Sequence, residues 1–360
     1  ARSGEGLDQR PAARVVADAV FDAGALRMGT LRVNLPDTSV AASLDAHARA
    51  DGRWEIARFG WNDPGVLEFI ASAQLDPVAL APLRKLALHV DRARMPLAGE
   101  RYGKALLAAQ GLDGNALKGE LVGDFAVDER GLQRVALSTS KFDIDARAQH
   151  VALHGLHGKI DWARDGERPP TTLGWRAARF GELSLAAASA RWQSRRGAMH
   201  LLDTLRTETL GGQLHLEHSL IDPRDGAGVR LSSAFTLRNA GYEKADASIA
   251  AAHLSATGQL SISVAAGATQ VQLDASLQGG EALAGQFYVK LPKTPVMLTL
   301  GATLADARWH VGTLDWRDPG VLDLHASAEI MPDEATPLQA LRLDLRNADL
   351  KPALVRYAHS

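Results

Sequence analysis

Asp143 and Asp145 stand two residues apart in an alternating stretch, with Asp161 further along the chain. On an extended strand, residues i and i+2 share a face, so the first two carboxylates would lie side by side. Such a pair can do acid–base work on a substrate. It is also what the wet face of a sheet ordinarily carries, and that is the reading adopted. His150, His154 and His157 are the densest histidine group. His150 and His154 would share a strand face, and His157 would join them only if the chain bulges near Gly155. A zinc site would need a fourth ligand and tetrahedral geometry. His215 and His218 flank Glu217 at a spacing that does not put both rings on one face. Trp54, Trp61, Trp175, Trp192, Trp309 and Trp316 could stack against sugars. Their recurrence at equivalent places in an internal repeat assigns them to packing instead.

Motif searching adds no chemistry. There is no G-x-S-x-G, H-E-x-x-H, phosphate-binding loop, G-x-G-x-x-G or calcium-loop pattern, and no N-x-S/T acceptor. The chain has no cysteine, which removes thiol nucleophiles, disulfides and cysteine-bearing zinc sites. Forty basic residues face 42 acidic ones, for a net charge of −2, and the arginines are scattered singly. Nucleic acid is therefore not an expected partner. No enzymatic activity, cofactor or metal is expected. No stretch reaches the roughly 18 apolar residues that would span a bilayer as a helix. The start at Ala1, without a charged and then apolar leader, reads as a processed chain or an excised piece.

Whatever the protein does must be positioned by strands. Apolar residues make up 46% of the chain but aromatics only 5%, so the oily side chains are Leu, Ala and Val. They alternate with polar neighbours at Leu31, Val33, Leu35; Phe142, Ile144, Ala146, Ala148; Leu214, Leu216; Leu260, Ile262, Val264; Val271, Leu273, Ala275, Leu277; and Val296, Leu298, Leu300. The clearest case is Leu341, Leu343 and Leu345, with Arg342, Asp344 and Arg346 between and after them. Period two puts one set on each face of a sheet. Turn signals at Asp113-Gly114, Asp165-Gly166, Asp225-Gly226 and Gly279-Gly280 separate the runs. A helix is expected over 97–110, with Tyr102, Leu106 and Ala109 on one face and Gly111 as its stop. The stretch 14–21 suits a helix or a strand equally.

The chain also repeats itself. Residues 50–102 align without a gap to 305–357 at an offset of 255, and 22 of the 53 positions are identical by direct count. Trp54 pairs with Trp309 and Trp61 with Trp316. Asp63-Pro64-Gly65-Val66-Leu67 returns as Asp318-Pro319-Gly320-Val321-Leu322, and Ala71-Ser72-Ala73 as Ala326-Ser327-Ala328. Pro82-Leu83 returns as Pro337-Leu338, Leu86 and Leu88 as Leu341 and Leu343, and Arg101-Tyr102 as Arg356-Tyr357. Asp-Pro-Gly is turn chemistry. Each copy thus reads as a Trp-bearing strand, a tight turn, a second strand, a loop, a third strand and a helix. The second copy is expected to stop where its helix should begin. The expected divisions are a β module at 1–110, a central antiparallel region at 111–290, and a truncated second copy at 291–360.

These features resemble the AsmA-like proteins of Gram-negative bacteria, a superfamily that includes TamB-like members, and most closely its YdbH-like branch. The marks are the short alternating strands, the Gly-Gly segment within Thr207 to Leu216, Trp-x-Asp-Pro-Gly-Val-Leu followed by Ala-Ser-Ala, and the closing Leu-x-Leu-x-Leu with Arg-Tyr at the helix start. The resemblance implies a mainly β fold: an elongated, curled antiparallel sheet, a repeating β-groove, with one or two short helices. It implies transport of phospholipid or another acyl lipid between inner and outer membranes. The location would be the periplasm, with an inner-membrane anchor outside this chain. Twelve of the alternating residues would line the groove: those named from Leu214 to Leu345, less Ala275, Leu277 and Val296. An outer-membrane protein would be a possible partner. The alternative is a structural or scaffolding β-protein that assists outer-membrane assembly, recruiting partners by strand addition. A carbohydrate-processing enzyme would need carboxylates about 5–10 Å apart in a cleft.

Elementary energetics agree with a groove. Each buried methylene is worth about 0.8 kcal/mol, so two acyl chains of about fifteen carbons cost on the order of 20 kcal/mol to expose. An aliphatic trough removes most of that barrier, and Leu, Val and Ala offer no directional bonds that would hold a sliding chain in place. Scattered arginines at a rim could meet phosphate headgroups.

Overall fold

The computed structural model describes residues 14–357 apart from 23–24, 36–37, 110, 113–115, 148–149, 225–227, 245–248, 266, 285–286 and 332–337, with side chains from residue 40 onward. The turn signals at Asp113-Gly114 and Asp225-Gly226, and Ala148 and Pro337, lie outside the described residues. Strand accounts for 74% of the structure and helix for 7%. The period-two alternation therefore sets the architecture: a mainly β, curled antiparallel sheet with short helices, as the sequence predicts. Two compact units divide the chain, 1–165 and 166–360. This division follows contacts within each unit, whereas boundaries at 110 and 290 follow the repeat.

The first unit is a meander of nine strands: β1 (Arg14–Asp22), β2 (Ala25–Leu35), β3 (Thr38–Ala48), β4 (Trp54–Asp63), β5 (Leu67–Leu75), β6 (Leu83–Met95), β7 (Leu117–Asp128), β8 (Gly131–Ala146) and β9 (Val151–Ala163). Each pairs antiparallel with the next. The ambiguous stretch near residue 14 is thus strand β1. Between β6 and β7 lies the expected helix, opening as a π-helical turn at Gly99–Gly103 and continuing as α1 (Lys104–Ala109).

The second unit holds β10 (Thr171–Trp175), β11 (Ala177–Phe180), β12 (Leu183–Leu185), β13 (Ala188–Arg195), β14 (Ala198–Leu201), β15 (Leu205–Thr209), β16 (Gly212–Arg224), β17 (Gly228–Glu243), β18 (Ile249–Ala265), β19 (Ala268–Gln278), β20 (Glu281–Ala284), β21 (Phe287–Lys290), β22 (Val296–Ala305), β23 (Arg308–Asp318), β24 (Leu322–Ile330), β25 (Leu338–Ala348) and α2 (Leu350–Tyr357). Its long sheet runs β15, β16, β17, β18, β19, β22, β23, β24, β25. The β20–β21 hairpin pairs onto the start of β18 instead, at Ile249–Ala252. The Gly-Gly segment is a two-residue hairpin turn: Leu210 and Gly211 adopt φ of 51° and 68°, between paired Thr209 and Gly212.

The repeat is structural down to its irregularities. Gly65 and Gly320 both sit at φ 73°, and in both copies the Val amide closes the turn on the Asp carbonyl at 3.0 Å. The first-copy register slips after Ile56, Glu68 and Gln74, and the second-copy register slips after the equivalent Val311, Asp323 and Glu329. Each slip keeps the apolar residues on one face. One expectation is corrected. The second copy does reach its helix: α2 begins at Leu350, and Arg356-Tyr357 lies beyond its first turn rather than at its start. The reason is that β25 ends at Ala348, leaving the chain free to turn helical at once.

Candidate functional site

Directly opposed residues in an antiparallel ladder share a face, so register alone shows where the aliphatic side chains go. In the second unit, Leu343, Ala326, Leu314, Leu300, Leu273 and Leu260 form one row across six strands. A parallel row runs Leu345, Leu324, Trp316, Leu298, Ala275, Gly258, Phe235, Leu216. A third runs Leu341, Ala328, Val311, Ala302, Val271, Ile262, Leu231. Leu214 and Val264 share the parity of their strands' other apolar residues. All twelve residues singled out from the sequence therefore lie on one face.

That face is only partly covered. Toward one end, Leu291 beyond β21 seals a cluster of Ala256, Ala275, Leu277 and Val296. Away from that cluster the covering thins. Of the twelve, eight are half-buried, while Val264, Leu341, Leu343 and Leu345 are exposed. None reaches the burial of the sealed cluster. The first unit is built alike: Leu44, Phe59, Ala71, Leu88, Phe125, Val135 and Trp162 form a row through β3–β9.

The opposite face is wet. In the second unit, His325 Nδ1 lies 2.8 Å from Asp315 Oδ1, and Thr299 donates to Asp274 at 2.9 Å. In the first, an open depression of about 540 Å³ is lined by Glu55, Gln74, Lys85, Asp128 and Gln133 together with Ile56, Leu86, Val127 and small residues. Its charged side chains match an acyl chain less well than the continuous aliphatic rows do, and those rows are the candidate surface. On the same wet face His89 bonds Asp124 at 2.6 Å and lies 3.3 Å from Asp91. The Asp124 hydrogen bond holds the imidazolium and raises the His89 pKa above its ordinary 6.5. The His89 titration followed by NMR should have its midpoint above 6.5, and Asp124→Asn should bring it down. Because the folded pKa is raised, this contribution to stability is fully present below pH 6.5 and is lost as pH rises through the folded value. Half-exposure keeps it small.

Two side-chain clusters that sequence reasoning did not assemble stand where the strands meet the helices. Asp63, 0% exposed at the Asp-Pro-Gly turn, accepts from Arg101 Nη1 at 2.7 Å and Tyr102 Oη at 2.8 Å. Trp61 meets the Tyr102 ring edge-on. In the second copy Asp318, 2% exposed, accepts from Arg356 and from Tyr357 Oη, the latter at 2.9 Å, and Trp316 Nε1 donates to Tyr357 Oη at 3.0 Å. Burial, the largest cause, lifts the Tyr357 pKa to about 12, so its hydroxyl remains a donor at neutral pH. The signal was available: Asp and the Arg-Tyr doublet recur together in both copies at the same separation.

The other candidates disperse. Leu153 and Leu156 both face inward opposite Ile144 and Phe142, so the chain does bulge at His154-Gly155, and His154 and His157 fall on the outer side. His150 sits in the preceding turn at φ 55°. No group of three metal-capable side chains occurs among the described residues. Asp143 accepts the Gly155 amide, Asp145 pairs with Arg147, and Asp161 is buried opposite Ala136 beside Arg134, away from the first two. Among the tryptophans, Trp61 stacks on Phe69 at 6.5 Å and Trp175 Nε1 donates to the Ala186 carbonyl, both within the fold.

No family model matches this chain, and neither a curated protein nor a solved structure matches it.

Proposed function

We propose that this chain shields the acyl chains of phospholipid, or of another acyl lipid, on the aliphatic face of its sheet, as part of a non-enzymatic carrier between two membranes. A periplasmic setting goes with this reading and rests on the resemblance to AsmA-like proteins. The observation that carries it is the alignment of Leu and Val in three rows over at least six strands, half-buried or exposed while the alanines between them, Ala275, Ala302 and Ala326, are buried. An aliphatic side chain left in water forfeits about 25 cal/mol for each Å² it could have buried. Hydrocarbon laid along the rows recovers that energy without needing any hydrogen-bonding partner. Purified protein extracted with organic solvent should yield phospholipid by mass spectrometry, and chain stripped of lipid should take up acyl lipid again from vesicles. Protein that carries no lipid and takes none up would sink the proposal. The scaffolding reading, an assistant in outer-membrane assembly, is favoured by the sealed cluster at Leu277 and Val296, and a lipid-free chain would point to it.

A further inference from the structure

The loop between β5 and β6, residues 76–82, reads Asp-Pro-Val-Ala-Leu-Ala-Pro. Its tip places Val78 and Leu80 fully in solvent, at 94% and 108% exposure. Among the described residues no other large apolar side chain is as bare. The backbone holds them there. The Asp76 amide donates to the Pro82 carbonyl at 2.7 Å and the Ala79 amide to the Asp76 carbonyl at 3.1 Å, while Arg84 donates to the Asp76 carboxylate at 3.0 Å. Pro77 and Pro82 stiffen the two ends of the loop. Side chains this exposed add nothing to the core, and the module does not call for them. By sequence, the second copy keeps the loop length and both prolines but has Asp333-Glu334-Ala335 in place of Val78-Ala79-Leu80.

We propose that this loop is a membrane-docking tip, inserting Val78 and Leu80 just below the headgroups of a zwitterionic bilayer. Area argues against a protein partner. A stable protein interface buries about 800 Å² on each side, far more than two side chains on a projecting turn present. A bilayer asks for no matching shape, and its hydrocarbon takes up aliphatic side chains by burial alone. The surroundings suit its interface. The β3–β4 and β7–β8 turns lie at the same end of the meander. Behind the loop, Trp54 and Lys85 line a recess of about 200 Å³, and both residue types favour the boundary between headgroups and water. Charge selects the lipid. Arg49 is matched by Glu55, Arg53 by Asp76, and Arg84 by Asp76 and Glu129. A collar of paired opposite charges suits headgroups that carry both signs and gives an anionic surface little net attraction. The tip is separate from the aliphatic rows, and its role holds whether or not they carry lipid.

The full chain has no cysteine, so Ala79→Cys carries a single environment-sensitive dye. On phosphatidylcholine vesicles the dye should brighten and shift to the blue, and bromine on the lipid acyl chains should quench it. Val78→Asp, Ala79→Glu and Leu80→Ala together install the second copy's residues. They should lower co-sedimentation of the unlabelled chain with these vesicles by at least about tenfold and leave circular dichroism unchanged. Leu80→Ile, which keeps the hydrocarbon, should retain binding. Replacing about a third of the lipid by phosphatidylglycerol, or raising salt from about 0.05 to about 0.5 M, should change binding by less than about twofold. No binding to phosphatidylcholine, or equal binding by the triple variant, would overturn the proposal. So would binding that requires phosphatidylglycerol and fades in salt, which would assign the contact to the arginines. Oligomers that the triple variant abolishes would overturn it too, by making the tip a protein contact. The dye reports on the tip itself, so lipid uptake by the aliphatic face leaves it unchanged and the two readings fail separately.

Discussion

Arg101→Ala should cost the first unit about 3 kcal/mol, a fall of roughly 6–12 °C in melting temperature, measured by calorimetry. Asp63 has no solvent exposure, and Oδ1 makes no hydrogen bond, so its charge is met through Oδ2 by Arg101 and Tyr102. Removing the guanidinium strands a carboxylate among Trp61, Val66 and the helix, which is the costly way to break such a pair. Arg101 is 32% exposed at its side chain, so the effect belongs at the lower end of the buried-pair range. Tyr102→Phe removes one hydrogen bond and leaves the ion pair, for about 1 kcal/mol. The second copy provides a built-in replicate, because Arg356→Ala strands Asp318 in the same way. A loss under about 1 kcal/mol for both arginines would mean that these clusters do not hold the helices to the turns.

Leu273→Asp should reduce the lipid recovered with the protein by at least about tenfold, equivalent to 1.4 kcal/mol. Leu273 lies mid-row between Leu260 and Leu300, and an acyl chain passing along the face must cross it. A carboxylate there must be desolvated or must repel the chain, and either outcome costs more than the required amount. The neighbour Gln272 is exposed on the opposite face, so Gln272→Asp adds the same charge to the same strand without touching the rows. Circular dichroism should show both variants folded. Equal lipid recovery from the two would remove the aliphatic face from the proposed function.

Both experiments probe features that are legible in the sequence to different degrees. The faces can be assigned from the residue order alone because strand parity is a local property: Leu260, Ile262, Leu273 and Leu300 stay on one side wherever their strands pair. Where a register slips, as at Ile56 and Val311, the strand's parity changes by one, and Ile56 and Phe59, like Val311 and Leu314, share a face despite their odd spacing. The Asp63 cluster is half legible. Asp-Pro-Gly reads as a turn and Arg-Tyr as part of a helix, yet nothing local joins residues 38 positions apart.

By itself, the sequence determined the β class, the two-faced strands, the Asp-Pro-Gly turns and the duplication, because each follows from nearest-neighbour periodicity or from identity between copies. Tertiary structure alone decided the rest. It brought Asp63 to Arg101 and kept Asp161 away from Asp143, and it buried Val90 while leaving Leu345 exposed. The physical reason is that burial belongs to a pair of surfaces: the same Leu-x-Leu strand is covered or bare according to which strand the fold lays beside it.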